Sequence, residues 1–344
     1  MMACSNLLIT GNSVFSDLQL ANLKKDLRSS RKSAYASGSL KNLRIQWRSY
    51  LSFCIYFDIP WMPATAESLC LFAQFLSRSC KSIDTIRNYI SGVKLLHILV
   101  EAPCPTFSNI ELKMSLRGIA RKNPHCPRQA APITPHILLK IYHLLDHSNP
   151  IHSTIWALFI TAFFTLSRKS NLVVSAKIPF NPEKQLCRKD ITIGQHTATI
   201  TFRWTKTIQF GNRILKIPLL AIPHSHLCPV KALKAMIKLV PAEPLHPAFA
   251  IPCKKSVVPI HYSGLQSAIK TCIKAIGLNP KKFSSHSFRR GGATWAFRSN
   301  VPADLIKVQG DWASQAYMRY LDFSLDQRVI VAQNMISEIT KITI

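Results

Sequence analysis

Residues 123–135 read NPHCPRQAAPITP, placing Pro124, Pro127, Pro132 and Pro135 within one short stretch. Each proline fixes φ and removes an amide donor, so neither a helix nor a ladder strand can run through it. The chain must therefore fold on either side of this stretch. Its 344 residues agree with a division, since domains commonly hold about 100–200 residues. The expected organisation is a basic extension over 1–32, a helical domain over 33–123, a Pro-rich linker over 124–135 and a second domain over 136–344.

The charge limits the partners. Lys and Arg number 44 against 16 Asp and Glu, a formal net charge of +28. Such an excess calls for a polyanion, either nucleic acid or an anionic membrane surface, with salt-sensitive affinity. With 47% hydrophobic residues the chain can still build buried cores, so it is not a disordered basic tail. Chemistry that converges several carboxylates on metal ions starts at a disadvantage where acids are so scarce. The ten cysteines form no CxxC pair and no short Cys/His ligand spacing, which points to reduced thiols, several of them core residues. Residues Met1 to Leu20 lack the basic start and apolar block of a secretory signal. The longest apolar run, Ile155 to Leu166, falls short of the roughly 20 residues that span a bilayer. A soluble, intracellular protein is expected.

Periodicity supplies the elements. After a polar, weakly patterned 1–32 with a basic cluster at Lys24, Lys25, Arg28, Arg31 and Lys32, a helix is predicted from an N-cap at Ser39. Its Leu40, Leu43, Trp47, Leu51 and Cys54 recur every three or four positions. Further helices are predicted over Thr65–Ser79, from Ser82 or Asp84 to about Leu99, and over Asn109–Lys122, making a compact bundle. Arg44, Arg48, Arg87 and Lys94 fall on its polar faces and are candidates for phosphate contact or plain solvation. Beyond the prolines come a helix over His136–Leu145 and a very apolar one over Thr154–Leu166. The pattern then switches to period two between Asp190 and Leu219, with Gly211-Asn212 as a turn, and predicts a small antiparallel sheet. Helices return over Pro229–Val240, His261–Ile276, Phe288–Arg298, Pro302–Val308, Ser314–Leu321 and Leu325–Ile339. The fold class is mainly α with a small antiparallel β-sheet.

Three places carry candidate chemistry: Arg168 just after the apolar helix, Lys206 at a strand tip, and His286 and Arg289 followed by Trp312 and Tyr320. A His three residues before an Arg at a helix start puts both near an end where backbone amides favour an anion. Singly, each has a bland reading as a capped histidine, a core tryptophan or a surface lysine. Their joint order is the informative feature.

That order resembles the tyrosine recombinase superfamily, the phage-type integrases, and most of all the versions carried by eukaryotic Crypton and DIRS-like mobile elements. The resemblance runs from about residue 35 to the end. FFTLSRKSNLV looks like the first arginine motif, with Arg168; RWTKT matches the hairpin lysine, Lys206; HSFRRGGAT supplies His286 and Arg289. In GDWASQAYMRYL, Trp312 takes the His-or-Trp position and Tyr320 that of the nucleophile. Tyr320 follows Trp312 by eight residues, one fewer than bacterial members usually show. Tyr317 is its rival, and the Arg-Tyr-Leu setting favours Tyr320. Asn171 stands where many members carry an acid.

The resemblance implies a SAM-like helical core-binding domain joined to a catalytic domain, together clamping double-stranded DNA, with Arg290 added to the DNA-binding candidates. It implies strand breakage and rejoining through a 3′-phosphotyrosyl intermediate, without metal, ATP or other cofactor. Two arginines would clamp the phosphate, His286 and Trp312 would add hydrogen bonds, and Lys206 would protonate the leaving 5′-oxygen. It further implies a homo-tetramer on DNA, a dimer per site, with no membrane and no small-molecule substrate, and a nuclear location for the eukaryotic variant. A type IB topoisomerase-like nick-and-seal enzyme and a catalytically silent domesticated DNA-binding protein are the alternatives.

Overall fold

A computed structural model of the chain describes residues 13–103, 109–126, 129–211, 213–254, 256–320 and 325–342. It divides into two compact units, Met1–Arg128 and Gln129–Ile344.

The first unit holds α1 (Ser13–Ser33), α2 (Ser37–Tyr56), α3 (Ala66–Ser77), α4 (Ile83–Leu99) and α5 (Ile110–Lys122). Helix α1 corrects the expectation of an unpatterned extension. Residues 13–33 contain no Gly or Pro, so nothing breaks the helix, while its described side chains, Leu20, Leu23 and Leu27 included, are almost all exposed, so it buries no apolar face. Its basic cluster is partly spent inside the unit: Arg28 and Arg31 pair with Glu101 at 3.1 and 3.3 Å. Helix α2 starts two residues ahead of the expected cap at Ser39. Thr65 and Ser68 form a reciprocal capping box on α3, and Ser82 and Asn109 cap α4 and α5, so the chain enters each helix at a fixed point. Their apolar faces meet in one core of Tyr50, Phe53, Leu69, Phe72, Ile86, Ile90, Val93, Leu112 and Ile119. Tyr50 stands edge-on to Phe72 at 5.2 Å, a favoured aromatic geometry. Arg44 and Arg48 on α2 and Arg87 and Lys94 on α4 are exposed; Arg87 also reaches Asp84 at 3.2 Å.

The second unit is built around α7 (Pro150–Phe164), which follows α6 (Pro135–Leu144). Asn149 caps α7 through two backbone amides and Pro150 occupies its first turn, where a missing N–H costs nothing. A helix apolar on every face can only be a core element, and residues Ser153–Thr154 and Trp156–Phe163 of α7 are buried. After the short α8 (Lys169–Leu172) the chain forms β1 (Ile191–Ile193), β2 (Thr197–Phe202) and β3 (Leu215–Leu220). They make an antiparallel sheet in sequence order, with Ile200 opposite Ile191 on one side and Ile217 on the other. Alternate residues of β3 are buried, as period two requires. Then follow α9 (Pro229–Leu239), the hairpin β4 (Ala250–Cys253) and β5 (Ser256–Pro259), α10 (Tyr262–Ala275), α11 (His286–Arg298), α12 (Ala303–Gln309) and α13 (Leu325–Ile342).

Several expectations change here. The β4–β5 hairpin was not predicted, because prolines at 252 and 259 mask a strand pattern that two-stranded pairing tolerates. The stretch expected as helix over Ser314–Leu321 is a 3₁₀ segment, Gln315–Tyr320. Lys206 lies four residues past β2, in an irregular loop rather than at a strand tip, and the Gly211-Asn212 turn involves Asn212, which is outside the described residues. The Pro-rich stretch is not free chain throughout. Ala131 N–H donates to Lys282 O at 2.7 Å and Ile133 N–H to Ser287 O at 3.0 Å; Ile133 is fully buried, and Pro135 opens α6.

Candidate active site

The site gathers where α7 ends and α11 begins. Thr165 closes α7, and Leu166 takes a left-handed backbone conformation, φ 51°, which turns the chain so that Arg168 sits at the start of α8. Helix α11 starts at His286, two residues earlier than its apolar pattern suggests, so His286 and Arg289 are one helical turn apart on one side. Gly291 and Gly292 let α11 lie directly on its neighbours: a Cβ at Gly291 would strike Ile133 O, and one at Gly292 would strike Phe163 O. This close approach lets the Arg289 guanidinium donate to Leu166 O. The two arginine-bearing segments are thereby joined.

Arg289 is 1% exposed. Its guanidinium stacks on the Trp312 ring at 3.6 Å from the centroid, a cation–π contact. Burial and then the nearby positive charge of Arg168 hold its pKa down at about 9, with Tyr320 and Asp311 pulling the other way. Arg289 Nη2 and Arg168 Nη1 are buried without a hydrogen-bond partner. Two cationic donors forced together in this way favour any anion placed between them. His286 keeps a solvent-exposed edge, while partial burial, followed by the charges of Arg289, Lys169 and Arg168, lowers its pKa. It is therefore neutral at pH 7 and able to accept a proton.

Trp312 and Tyr317 belong to a small cluster with Leu166, Ala293 and Ile306, and Tyr320 packs at its edge. The rings of Tyr317 and Tyr320 lie 6.1 and 5.8 Å from that of Trp312. They differ in access: Tyr317 is 3% exposed, whereas Tyr320 is half-buried and acts on the Arg289 charge. Thr294 on α11 donates its hydroxyl to Tyr320 O at 2.6 Å, fixing that backbone. Gly310 has no room for a Cβ, which would enter the Trp312 ring.

Arg168, His286, Arg289, Trp312 and Tyr320 thus come together. Lys206 joins them only through its neighbours: its side chain is exposed, while the hydroxyl of Thr205 donates to Asp311 Oδ2 at 2.6 Å and that of Thr207 to the same oxygen. Asp311 was not singled out from sequence. Neither were Thr294, Arg213 or the two threonines, because their contacts join positions far apart in the sequence. Arg290, a candidate for DNA contact, donates to Ala130 O at 3.1 Å and braces the Pro-rich segment.

No protein-family model matches the chain. It is similar to the integrase/recombinase XerD homolog of Selenomonas ruminantium, 23% identical over an alignment of 296 residues, with coverage of 83% of this chain and 82% of that protein. Among solved structures it resembles a lambda integrase (residues 75–356) dimer bound to a COC′ core site, with TM-score 0.56, 15% identity and coverage of 88% and 94%. It also resembles the XerH site-specific recombinase bound to palindromic difH substrate, with TM-score 0.54, 16% identity and coverage of 78% and 69%. The chain has the tyrosine recombinase fold of these neighbours. Within a tyrosine recombinase fold, the α7–α8 turn, the start of α11 and the segment around Trp312 are the three pieces of backbone that carry the arginines, the histidine and the candidate tyrosines.

Proposed function

We propose that the protein breaks and rejoins double-stranded DNA by tyrosine transesterification. The observation that carries this reading is the buried Arg289 and the partly buried Arg168, each with one buried N–H group that makes no hydrogen bond, beside the half-buried Tyr320. Arg168 and Arg289 bind the non-bridging oxygens of the scissile phosphate and stabilise the charge that builds there. The Tyr320 oxygen attacks phosphorus as His286 takes the phenol proton. The bond to the 5′-oxygen breaks, and Lys206 supplies that oxygen with a proton. The products are a 3′-phosphotyrosyl link and a free 5′-hydroxyl. Because the phosphoester is conserved, attack by a 5′-hydroxyl of another strand reverses the step and joins the new pair.

A mobile-element recombinase is the finer reading. It rests on the Arg-Tyr-Leu setting of Tyr320, and a nuclear location follows from the same eukaryote-like variant. Assembly as a tetramer, a dimer per site, is proposed with α13 as the exchanged element. Its exposed Val329, Met335, Ile336 and Ile342 offer an apolar face suited to a second copy. Arg44, Arg48, Arg87 and Lys94 are proposed phosphate contacts on the first unit.

The test is to incubate the protein with duplex DNA from around its own coding region and look for an SDS-stable protein–DNA band. The unaltered protein should give one, and Tyr320→Phe should bind the DNA nearly as well but give none. A band that persists in Tyr320→Phe would remove Tyr320 as the nucleophile.

A further inference from the structure

We infer that Asp311 is a positioning residue that fastens the Lys206 loop to the arginine side of the site, an inference that rests on the recombinase reading above. Asp311 is 3% exposed and adopts a left-handed conformation, φ 54°, a region that Asp enters more readily than most residues other than Gly. Both carboxylate oxygens are used. Oδ2 accepts from the hydroxyls of Thr205 and Thr207, the residues on either side of Lys206, and Oδ1 pairs with Arg213 at the far end of the same loop. Across the site, Arg168 Nη1 lies 3.8 Å from Oδ2, and Arg168 Nη2 donates to Asp311 O at 3.4 Å. Among the described residues Asp311 is the carboxylate that pairs with Arg168.

The geometry has a chemical meaning. Lys206 cannot enter a well-packed position itself, because its ammonium must stay free to reach a leaving oxygen. A buried charge bonded to the residues before and after it holds the loop without touching the lysine, and held groups lose little orientation freedom on the way to reaction. Thr205 reinforces this from within the loop: it is 2% exposed, and its hydroxyl accepts from the amides of Thr207 and Ile208. The loop is thus wound around the very hydroxyl that meets Asp311. Asn171, neutral and buried, adds no charge on the Arg168 side.

The readout must separate help given to Lys206 from help given to Arg168 or to folding. A DNA substrate with a bridging 5′ sulfur at the scissile position does so. Its P–S bond breaks to leave a thiolate, whose conjugate thiol has a pKa near ~8.5, so no general acid is needed. On ordinary DNA, Asp311→Asn should lower the single-turnover cleavage rate by about tenfold or more, a fraction of the ~10²–10⁴-fold that a general acid supplies. On the sulfur-bridged DNA its rate should return to within about threefold of the unaltered protein, as should that of Lys206→Ala. Thr207→Val, which removes one loop contact and leaves Arg168 untouched, should show the same rescue in smaller degree and guards against an Asp311→Asn protein that fails to fold. Equal losses on both substrates, for either variant, would overturn the inference. If the unaltered protein cuts neither DNA, the recombinase reading itself fails and this inference with it.

Discussion

At the scale of single residues, Arg289 concentrates the physics of the site. A guanidinium 1% exposed, stacked on Trp312 and facing the charge of Arg168, gives up its proton more readily than an exposed one, at about pH 9. The sign follows from which state holds the proton. Between about 9 and the ordinary arginine range the unfolded chain binds more protons than the folded one, so this group's penalty on stability is full at pH 7 and is relieved as pH rises through that window. An anion between the arginines works in the opposite sense, because it favours the protonated form. Stabilisation by sulfate or vanadate, read as a shift in melting temperature, should be present at pH 7 and decline as pH passes about 9. Arg289→Gln should abolish the decline. An anion effect independent of pH in the unaltered protein would show that Arg289 does not meet the anion. Much of this chemistry was legible in the residue order, since Arg168, His286, Arg289, Trp312 and Tyr320 stand in a recognisable sequence. Asp311 was not. Its partners Thr205, Thr207 and Arg213 lie 98–106 positions away, and no local spacing encodes a contact that only the folded chain makes.

Elements show the same division between what is local and what is not. Apolar period predicted α7 and the three-stranded sheet, because both bury a regular pattern. It gave no helix over 13–33, where no stripe is buried, and no hairpin at 250–259, where prolines hide the strands. The join between α7 and α11 depends on two glycines whose lack of a side chain is the whole of their contribution. Gly292→Ala would set a Cβ against Phe163 O and the Leu166 side chain, and the Phe163 backbone cannot move without shifting the nearby Leu166 carbonyl to which Arg289 donates. Such overpacking commonly costs about 1–3 kcal/mol. The variant should therefore unfold at lower denaturant, with its slope unchanged, and lose cleavage more than stability alone explains. An unchanged midpoint would mean that α11 does not bear on α7 as described.

For the whole molecule, a net charge of +28 over two compact units provides the long-range attraction to a polyanion, while one small constellation provides the chemistry. The constellation makes the sharper claim, since a basic surface would suit many nucleic-acid binders, but a covalent link through one phenol suits few. Both Tyr317 and Tyr320 stand about 6 Å from Trp312, and the structure separates them by access rather than by distance. Digesting the SDS-stable complex with protease and nuclease and sequencing the nucleotide-bearing peptide by mass spectrometry tests this directly. The residual nucleotide should sit on Tyr320, in the peptide that contains Tyr-Leu-Asp. A nucleotide found on Tyr317, or on any residue outside the segment that follows Trp312, would contradict the account.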